Sequence, residues 1–223
     1  MKNLTLYLTT QWLVYGYHDA GYLYTEIKTG NTYDRNIPAP NEPAGRMQDG
    51  GVMILIGLGG NLTSPVFGPP IKVLSAALAH LQRAGVRVVG CSPWYQSAPI
   101  PASDQPWFVN GVACIETALA PQALLALLHR TEAHFGRQRS AGDVRWAARI
   151  VDLDLLAYGD YVTGRGEADK ALFLPHPRLD ERAFVLAPLA VLAPSWRHPV
   201  SGRTAAEMLA LLEPGQELLK IPD

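Results

Sequence analysis

From Met53 onward, short apolar runs alternate with longer amphipathic stretches, and glycine or proline stands near most junctions. Such punctuation restricts the chain to layered arrangements of strands and helices. Met53-Ile54-Leu55-Ile56-Gly57-Leu58 is a continuous apolar run that ends in glycines and suits a buried strand. Pro69-Pro70 opens a helix with Ile71, Leu74, Leu78 and Leu81 on one face, closed by Gly85. Residues 86–89 and 108–115 read as strands. Pro121 starts a second helix through Leu124, Leu125, Leu128 and Phe135, ended by Gly136, and residues 150–157 form the next strand. A shorter helix is expected after Asp180, whose carboxylate can accept from first-turn amides. The last helix opens with the capping box Thr204-Ala205-Ala206-Glu207 and stops at Pro214-Gly215.

Strand–helix–strand–strand–helix–strand is the order of a ferredoxin-like split unit. The expected class is therefore α+β, an αβ sandwich with a mainly antiparallel sheet. Its helices would pack on one face, leaving the other free to carry a site. Residues 52–223 would form this domain. Residues 1–51 differ in character, holding six of the nine tyrosines and none of the five phenylalanines. The alternation over 4–9 and the stretch from Tyr15 to Tyr24 suggest short strands or a hairpin, and Pro38, Pro40, Pro43, Gly45, Gly50 and Gly51 mark a linker. Fifty such residues bury little core alone. They read as an appendage and linker with no assigned role, or as an over-extended start.

Lys+Arg (19) against Asp+Glu (20) leaves a net charge of −1, which disfavours a protein that coats nucleic acid or a membrane surface. Hydrophobic residues make up 48%, enough for a sizeable core. No apolar run approaches the roughly 18–20 residues that span a bilayer, and the N-terminus is a poor secretory signal. Cys91 and Cys114 stand in no metal-ligand or redox spacing and read as reduced, mostly buried thiols of a cytoplasmic protein.

Val151-Asp152-Leu153-Asp154-Leu155-Leu156 is the most informative segment for chemistry. Alternation along a strand sends Asp152 and Asp154 to one face and Leu153 and Leu155 to the other. Two carboxylates roughly 7 Å apart repel unless neutralised. They are either solvated aspartates on a wet strand face or the ligands of a hard divalent cation such as magnesium. Arg130, Arg137, Arg139, Arg145 and Arg149 lie within about twenty residues of the pair, with Trp146 among them. Guanidinium groups bind phosphate bidentately and cannot serve as bases. Together the two features favour phosphoryl chemistry on a metal-bound nucleotide. The cluster Gly57-Leu58-Gly59-Gly60-Asn61-Leu62 lacks the Gly-Lys-Ser/Thr ending of a P-loop and the spacing of a dinucleotide fingerprint, so it reads as a tight turn with close backbone packing.

Taken in order, the segments resemble the 6-hydroxymethyl-7,8-dihydropterin pyrophosphokinase family. The matching pieces are Ile56 to Leu62, Tyr95 with Ser97-Ala98-Pro99, Asp104-Gln105-Pro106-Trp107-Phe108-Val109-Asn110, Glu132 and Gly136-Arg137-Gln138-Arg139. They continue with Arg145-Trp146-Ala147-Ala148-Arg149-Ile150-Val151-Asp152-Leu153-Asp154-Leu155-Leu156, Leu174-Pro175-His176-Pro177 and Arg182-Ala183-Phe184. The resemblance makes 52–223 a pyrophosphokinase domain and implies pyrophosphoryl transfer from ATP to the hydroxymethyl oxygen of the reduced pterin, releasing AMP in folate biosynthesis. It implies two Mg2+ ions held by Asp152 and Asp154, with Arg137 and Arg149 as catalytic arginines. Arg139, Trp146, His176 and Arg182 would bind ATP. Ser97, Phe108, Asn110 and Phe184 would bind the pterin, the two rings stacking on its faces and the amide meeting its polar edge. A cytoplasmic monomer is expected, with no nucleic-acid or membrane partner.

The chain departs from the family pattern at Gly60, where serine is usual, and at Ala147-Ala148, where glycine and proline are often found. The stretch from Arg139 to Trp146 is slightly longer than in the best-known members, and His129 stands where a glutamine often contacts nucleotide. In the absence of any Ser–His–Asp or Cys–His arrangement, the expected chemistry is direct in-line displacement at the β-phosphorus, by positioning and charge neutralisation. Two other readings use the same features: a non-catalytic RNA-binding module on this sheet, and another metal-dependent nucleotidyltransferase with a different acceptor.

Overall fold

The computed structural model describes residues 52–137, 147–163 and 172–222, together with the backbone of three strands nearer the N-terminus. The chain divides into two compact units, Met1–Asn36 and Ile37–Asp223. In the first, β1 (Thr5–Leu8), β2 (Gln11–Tyr17) and β3 (Leu23–Lys28) form an antiparallel sheet in chain order, with Leu6 opposite Leu13 and Val14 opposite Glu26. The stretch from Pro38 to Gly51, read above as a linker, lies outside the described residues.

The second unit runs β4 (Ile54–Gly60), α1 (Pro70–Arg83), β5 (Arg87–Cys91), β6 (Tyr95–Ser97), β7 (Phe108–Glu116), α2 (Pro121–His134), β8 (Asp152–Tyr158), α3 (Ala183–Leu192), α4 (Ala205–Leu209) and β9 (Leu218–Lys220). Its sheet is ordered β8-β4-β7-β6-β9, with β5 also on β7, and these pairings are antiparallel. The expected split unit is the skeleton β4-α1-β5-β7-α2-β8. One edge of β7 is shared end to end: β5 pairs with its residues 113–116, and β6 with residues 108–110. At the junction the Ser92 amide donates to the Val112 carbonyl at 2.9 Å, and the Ser92 hydroxyl accepts from the Val112 amide at 2.9 Å, so β7 keeps its hydrogen bonds across the change of partner.

Each face of this sheet buries a core. Ile54, Ile56, Ala113, Ile115, Leu153 and Leu155 pack beneath Leu74, Leu78, Leu124 and Leu128 of α1 and α2. Leu55, Val112, Cys114, Leu156 and Ala157 pack against Val185, Leu186 and Leu189 of α3 and Met208 of α4. This corrects the expectation of helices on one face only. Helix α3 is apolar almost all round and therefore seeks burial, covering part of the second face. The uncovered part holds the cavity described below.

Two further differences are local. The glycines after Leu58 belong to β4 and do not form a turn, because Gly59 and Gly60 continue the ladder opposite Asn110 and Val109. Helix α3 starts at Ala183 with Arg182 as its cap residue, so Asp180 does not cap it. Strands β6 and β9, three residues each, were not anticipated. Among the described residues, no helix is long and apolar enough to cross a membrane.

Candidate active site

Strand β4 sits between β8 and β7, and its glycines decide what can sit above it. Gly57 lies opposite Asp154 and Gly59 opposite Asp152, while on the other side Gly59 lies opposite Asn110. Two alternate positions without side chains leave a bare stripe between a row of carboxylates and a buried amide. A Cβ on Gly59 would stand 3.3 Å from Asn110 Oδ1 and 3.9 Å from the Asp152 Cβ. Above the stripe is a cavity of about 230 Å³, whose lining includes Ser97, Phe108, Asn110, Arg149, Asp152, Asp154, Arg182 and Phe184. The structure thus brings together eight of the twelve residues singled out from the sequence. Arg139 and Trp146 lie outside the described residues.

The acidic end of the cavity is built from β8 and the C-terminal turn of α2. Arg137 donates through Nη1 to Asp152 Oδ1, and Arg149 donates through Nη1 to Asp152 Oδ2 at 2.6 Å. Arg137 also donates to Glu132, a carboxylate 1% exposed that accepts from the Leu153 amide at 2.8 Å. Glu132 thereby ties α2, Arg137 and β8 together. Asp154 is less served: Arg182 Nη1 stands 3.9 Å from its Oδ2.

The two carboxyl groups diverge accordingly. Burial pushes Asp152 up, but the Arg149 and Arg137 charges and their hydrogen bonds outweigh it and hold the group below its ordinary range. Burial and the neighbouring Asp152 charge push Asp154 up to about 6, with Arg182 opposing. An under-compensated carboxylate beside a compensated one, on adjacent inward positions, is a donor set for a hard cation that takes one or two protein carboxylates and completes its shell with water and phosphate oxygens. Among the described residues no three His, Cys, Asp or Glu side chains gather into a metal-holding group.

The opposite wall is neutral. Asn110 is buried and donates through Nδ2 to the buried Ser97 hydroxyl at 2.9 Å. Phe108 and Phe184 line the same space, and the Arg182 guanidinium lies 5.4 Å from the centre of the Phe184 ring. His176 is not part of the lining. Its amide donates to the Leu156 carbonyl on the edge of β8 at 2.8 Å, and its Nδ1 accepts from the Arg178 amide at 3.1 Å. Burial, with Arg182 and Arg178 nearby, pushes the imidazole down to about 4, so it is neutral at physiological pH and Nε2 carries the proton.

Sequence reasoning missed the role of Asn61. It is 4% exposed, accepts from the Arg149 amide at 2.8 Å through Oδ1, and donates through Nδ2 to the Pro106 carbonyl at 3.0 Å and Gln105 Oε1 at 3.3 Å. A polar residue closing a glycine-rich strand end was the available signal. The departure at Gly60 has a steric counterpart: a Cβ there would lie 2.5 Å from the Ile150 carbonyl oxygen. The main chain entering β8 occupies the space a serine side chain needs.

Residues 55–194 match the family model described as 7,8-dihydro-6-hydroxymethylpterin-pyrophosphokinase (HPPK). The chain belongs to the HPPK family. Proteins named 2-amino-4-hydroxy-6-hydroxymethyldihydropteridine pyrophosphokinase are similar over most of this chain. The one from Pseudomonas aeruginosa is 42% identical over 158 residues, covering 70% of this chain and 90% of the relative. That from Methylorubrum extorquens is 40% identical over 160 residues, covering 71% and 92%. That from Synechocystis sp. is 39% identical over 156 residues, covering 70% and 73%.

Proposed function

We propose a division of labour among the cavity residues for the reaction that HPPK membership supplies. The chain transfers the pyrophosphoryl group of ATP to 6-hydroxymethyl-7,8-dihydropterin in folate biosynthesis, giving the pterin diphosphate and AMP. The pterin hydroxymethyl oxygen attacks the β-phosphorus and gives up its proton to solvent, and the bond from that phosphorus to the α,β-bridging oxygen breaks as AMP leaves. The observation that carries the assignment of the site is the pairing of Asp152 and Asp154 across a bare glycine stripe from the Ser97–Asn110 amide wall, within one cavity.

In this reading Asp152 and Asp154 would hold magnesium, two ions in number, which would neutralise triphosphate charge. Arg137 and Arg149 turn from Asp152 toward the phosphates, and Arg182 meets them from the α3 side. Arg139, Trp146 and His176 complete the ATP contacts. Asn110, oriented by Ser97, reads the polar edge of the pterin, and Phe108 and Phe184 enclose its ring. Both substrates are thereby held in line, which is most of what phosphoryl transfer requires. Residues 52–223 are the catalytic domain, with 1–51 outside it. The protein acts as a monomer in the cytoplasm, a compartment that suits its two free buried thiols.

The test is AMP formation assayed with and without the reduced pterin, with product analysis. Pterin-dependent AMP together with a pterin diphosphate is expected. Release of inorganic pyrophosphate with a nucleotidylated acceptor would point to a nucleotidyltransferase instead. Magnesium–ATP should raise the melting temperature while single-stranded RNA does not, and the reverse would favour an RNA-binding module.

A further inference from the structure

The N-terminus of α3 carries two residues of the cavity, Arg182 and Phe184, yet its own sequence supplies no cap. Arg182 occupies the cap position with extended backbone (φ −123°, ψ 112°) and makes no side-chain cap bond. First-turn amides of a helix need an acceptor. The acceptor for Ala183 comes from 33 residues away: its amide donates to Gln216 Oε1 at 2.8 Å. The other end of the same side-chain amide, Nε2, donates to the Glu181 carbonyl at 2.9 Å. One side chain therefore grips the main chain on both sides of Arg182.

Gln216 is itself anchored to the opposite wall. The next residue, Glu217, accepts from the Ala98 amide at 3.3 Å through its carbonyl, and β9 then pairs with β6, Leu218 lying opposite Ser97. The Ile221 amide closes the tail onto the Trp94 carbonyl at 2.9 Å. Gln216 lines the cavity between these two walls. A segment that follows the last helix and lies beyond the matched residues 55–194 thus links the Ser97–Asn110 wall to the Arg182–Phe184 wall.

We propose that Gln216 is a positioning residue of the active site, setting the distance between the two walls that enclose the pterin. The inference rests on the assignment of the cavity to the pterin reaction given above. Its two bonds fix the backbone from which Arg182 and Phe184 project, and β9 fixes Gln216 relative to Ser97. Without the grip, the first turn of α3 loses its acceptor and the aromatic wall loses its register with Asn110. The consequence falls on substrate affinity more than on folding, because the apolar body of α3 stays buried through Val185, Leu186, Leu189 and Leu192.

The experiment compares the full chain with Gln216→Ala, Gln216→Glu and Phe184→Leu, singly and as Gln216→Ala/Phe184→Leu, and uses Lys220→Ala as a control on the same tail. Steady-state constants for the reduced pterin, pterin binding by fluorescence titration and melting temperatures are read for each. Gln216→Ala is expected to raise the pterin KM and Kd by about tenfold, with kcat within about threefold and the melting temperature little changed. Gln216→Glu keeps the acceptor for Ala183 and loses the donor to Glu181, so its KM falls between. The double variant is expected to lose much less than the product of the single effects, since Gln216 acts through the wall that Phe184 forms. Gln216→Ala with a KM within twofold of wild type, Gln216→Glu indistinguishable from wild type, or fully multiplicative losses in the double variant would each overturn the proposal. A wild-type protein that forms no AMP would instead sink the reaction assigned above, whereas an active wild type with unmoved Gln216 variants sinks only this inference.

Discussion

The two faces of the sheet are made by the same strands and do opposite jobs. On β8, Leu153 and Leu155 enter the core under α1 and α2, while Asp152 and Asp154, one residue out of phase, enter the cavity. On β4, Ile54, Ile56 and Leu58 face that core, and Gly57 and Gly59 face the cavity. A period of two thus separates residues that hold the fold from residues that line the cavity. The closed face is dense and apolar. The other is left open beside α3, and there like charges sit close together at a cost that substrate and cation would relieve.

Substitutions of neighbouring residues on β8 should separate the two faces cleanly. Asp154→Ala is expected to lower AMP formation by about 10³-fold while leaving the melting temperature at or above that of wild type, because an under-compensated carboxylate is removed. Stopped or quenched-flow turnover at saturating magnesium measures it, and near-normal turnover would break the comparison. One residue away, Leu153→Ala should cost about 2–5 kcal/mol of stability, read by urea unfolding, with turnover per folded molecule unchanged. On β4, Gly59→Ala tests the bare stripe: the added methyl, 3.3 Å from Asn110 Oδ1, is expected to raise the pterin KM by about tenfold without loss of stability.

The pH dependence sharpens the comparison further. Asp154 titrates near 6 in the fold against an ordinary 3.8, so the stability it contributes is fully present below about pH 3.8 and is lost as pH rises through about 6. A cation held at Asp154 would remove that penalty by taking the place of the proton. Magnesium should therefore raise the melting temperature little at about pH 5 and by several degrees at about pH 7.5, as thermal melts at both values would show. A magnesium effect that is flat with pH would place the cation elsewhere. The smallest effect is expected from deleting residues 1–51, which should leave kcat/KM within about twofold.

How much of this was legible depended on whether the signal was local. The inward pairing of Asp152 and Asp154 follows from strand alternation alone, and the helices opened by Pro70 and Pro121 follow from their capping grammar. The continuation of β4 through Gly59 and Gly60 was not legible, because glycine marks turns more often than strand interiors and the neighbours that justify it, Asn110 and Asp152, are distant in sequence. Strands β6 and β9 are three residues long, too short for periodicity, and exist because they pair with each other and with β7. The α3 start was misplaced since its acceptor is Gln216 and not Asp180, a tertiary contact with no local trace. The family resemblance implies phosphate-binding roles for Arg137 and Arg149, and gave no sign that both would clasp Asp152.

That clasp has a consequence for how the substrates arrive. A guanidinium N–H pointing at Asp152 cannot also point at a phosphate, so the polyanion and the carboxylate compete for the same hydrogens. On the proposed reading, a triphosphate that drew Arg137 and Arg149 away would also unmask Asp152 for a metal ion. Nucleotide and metal should therefore show mutual synergy, each tightening the other by the same factor, with neither a strong visitor by itself. Arg137 and Arg149 would then serve as placeholders, keeping the seat occupied until both guests come together.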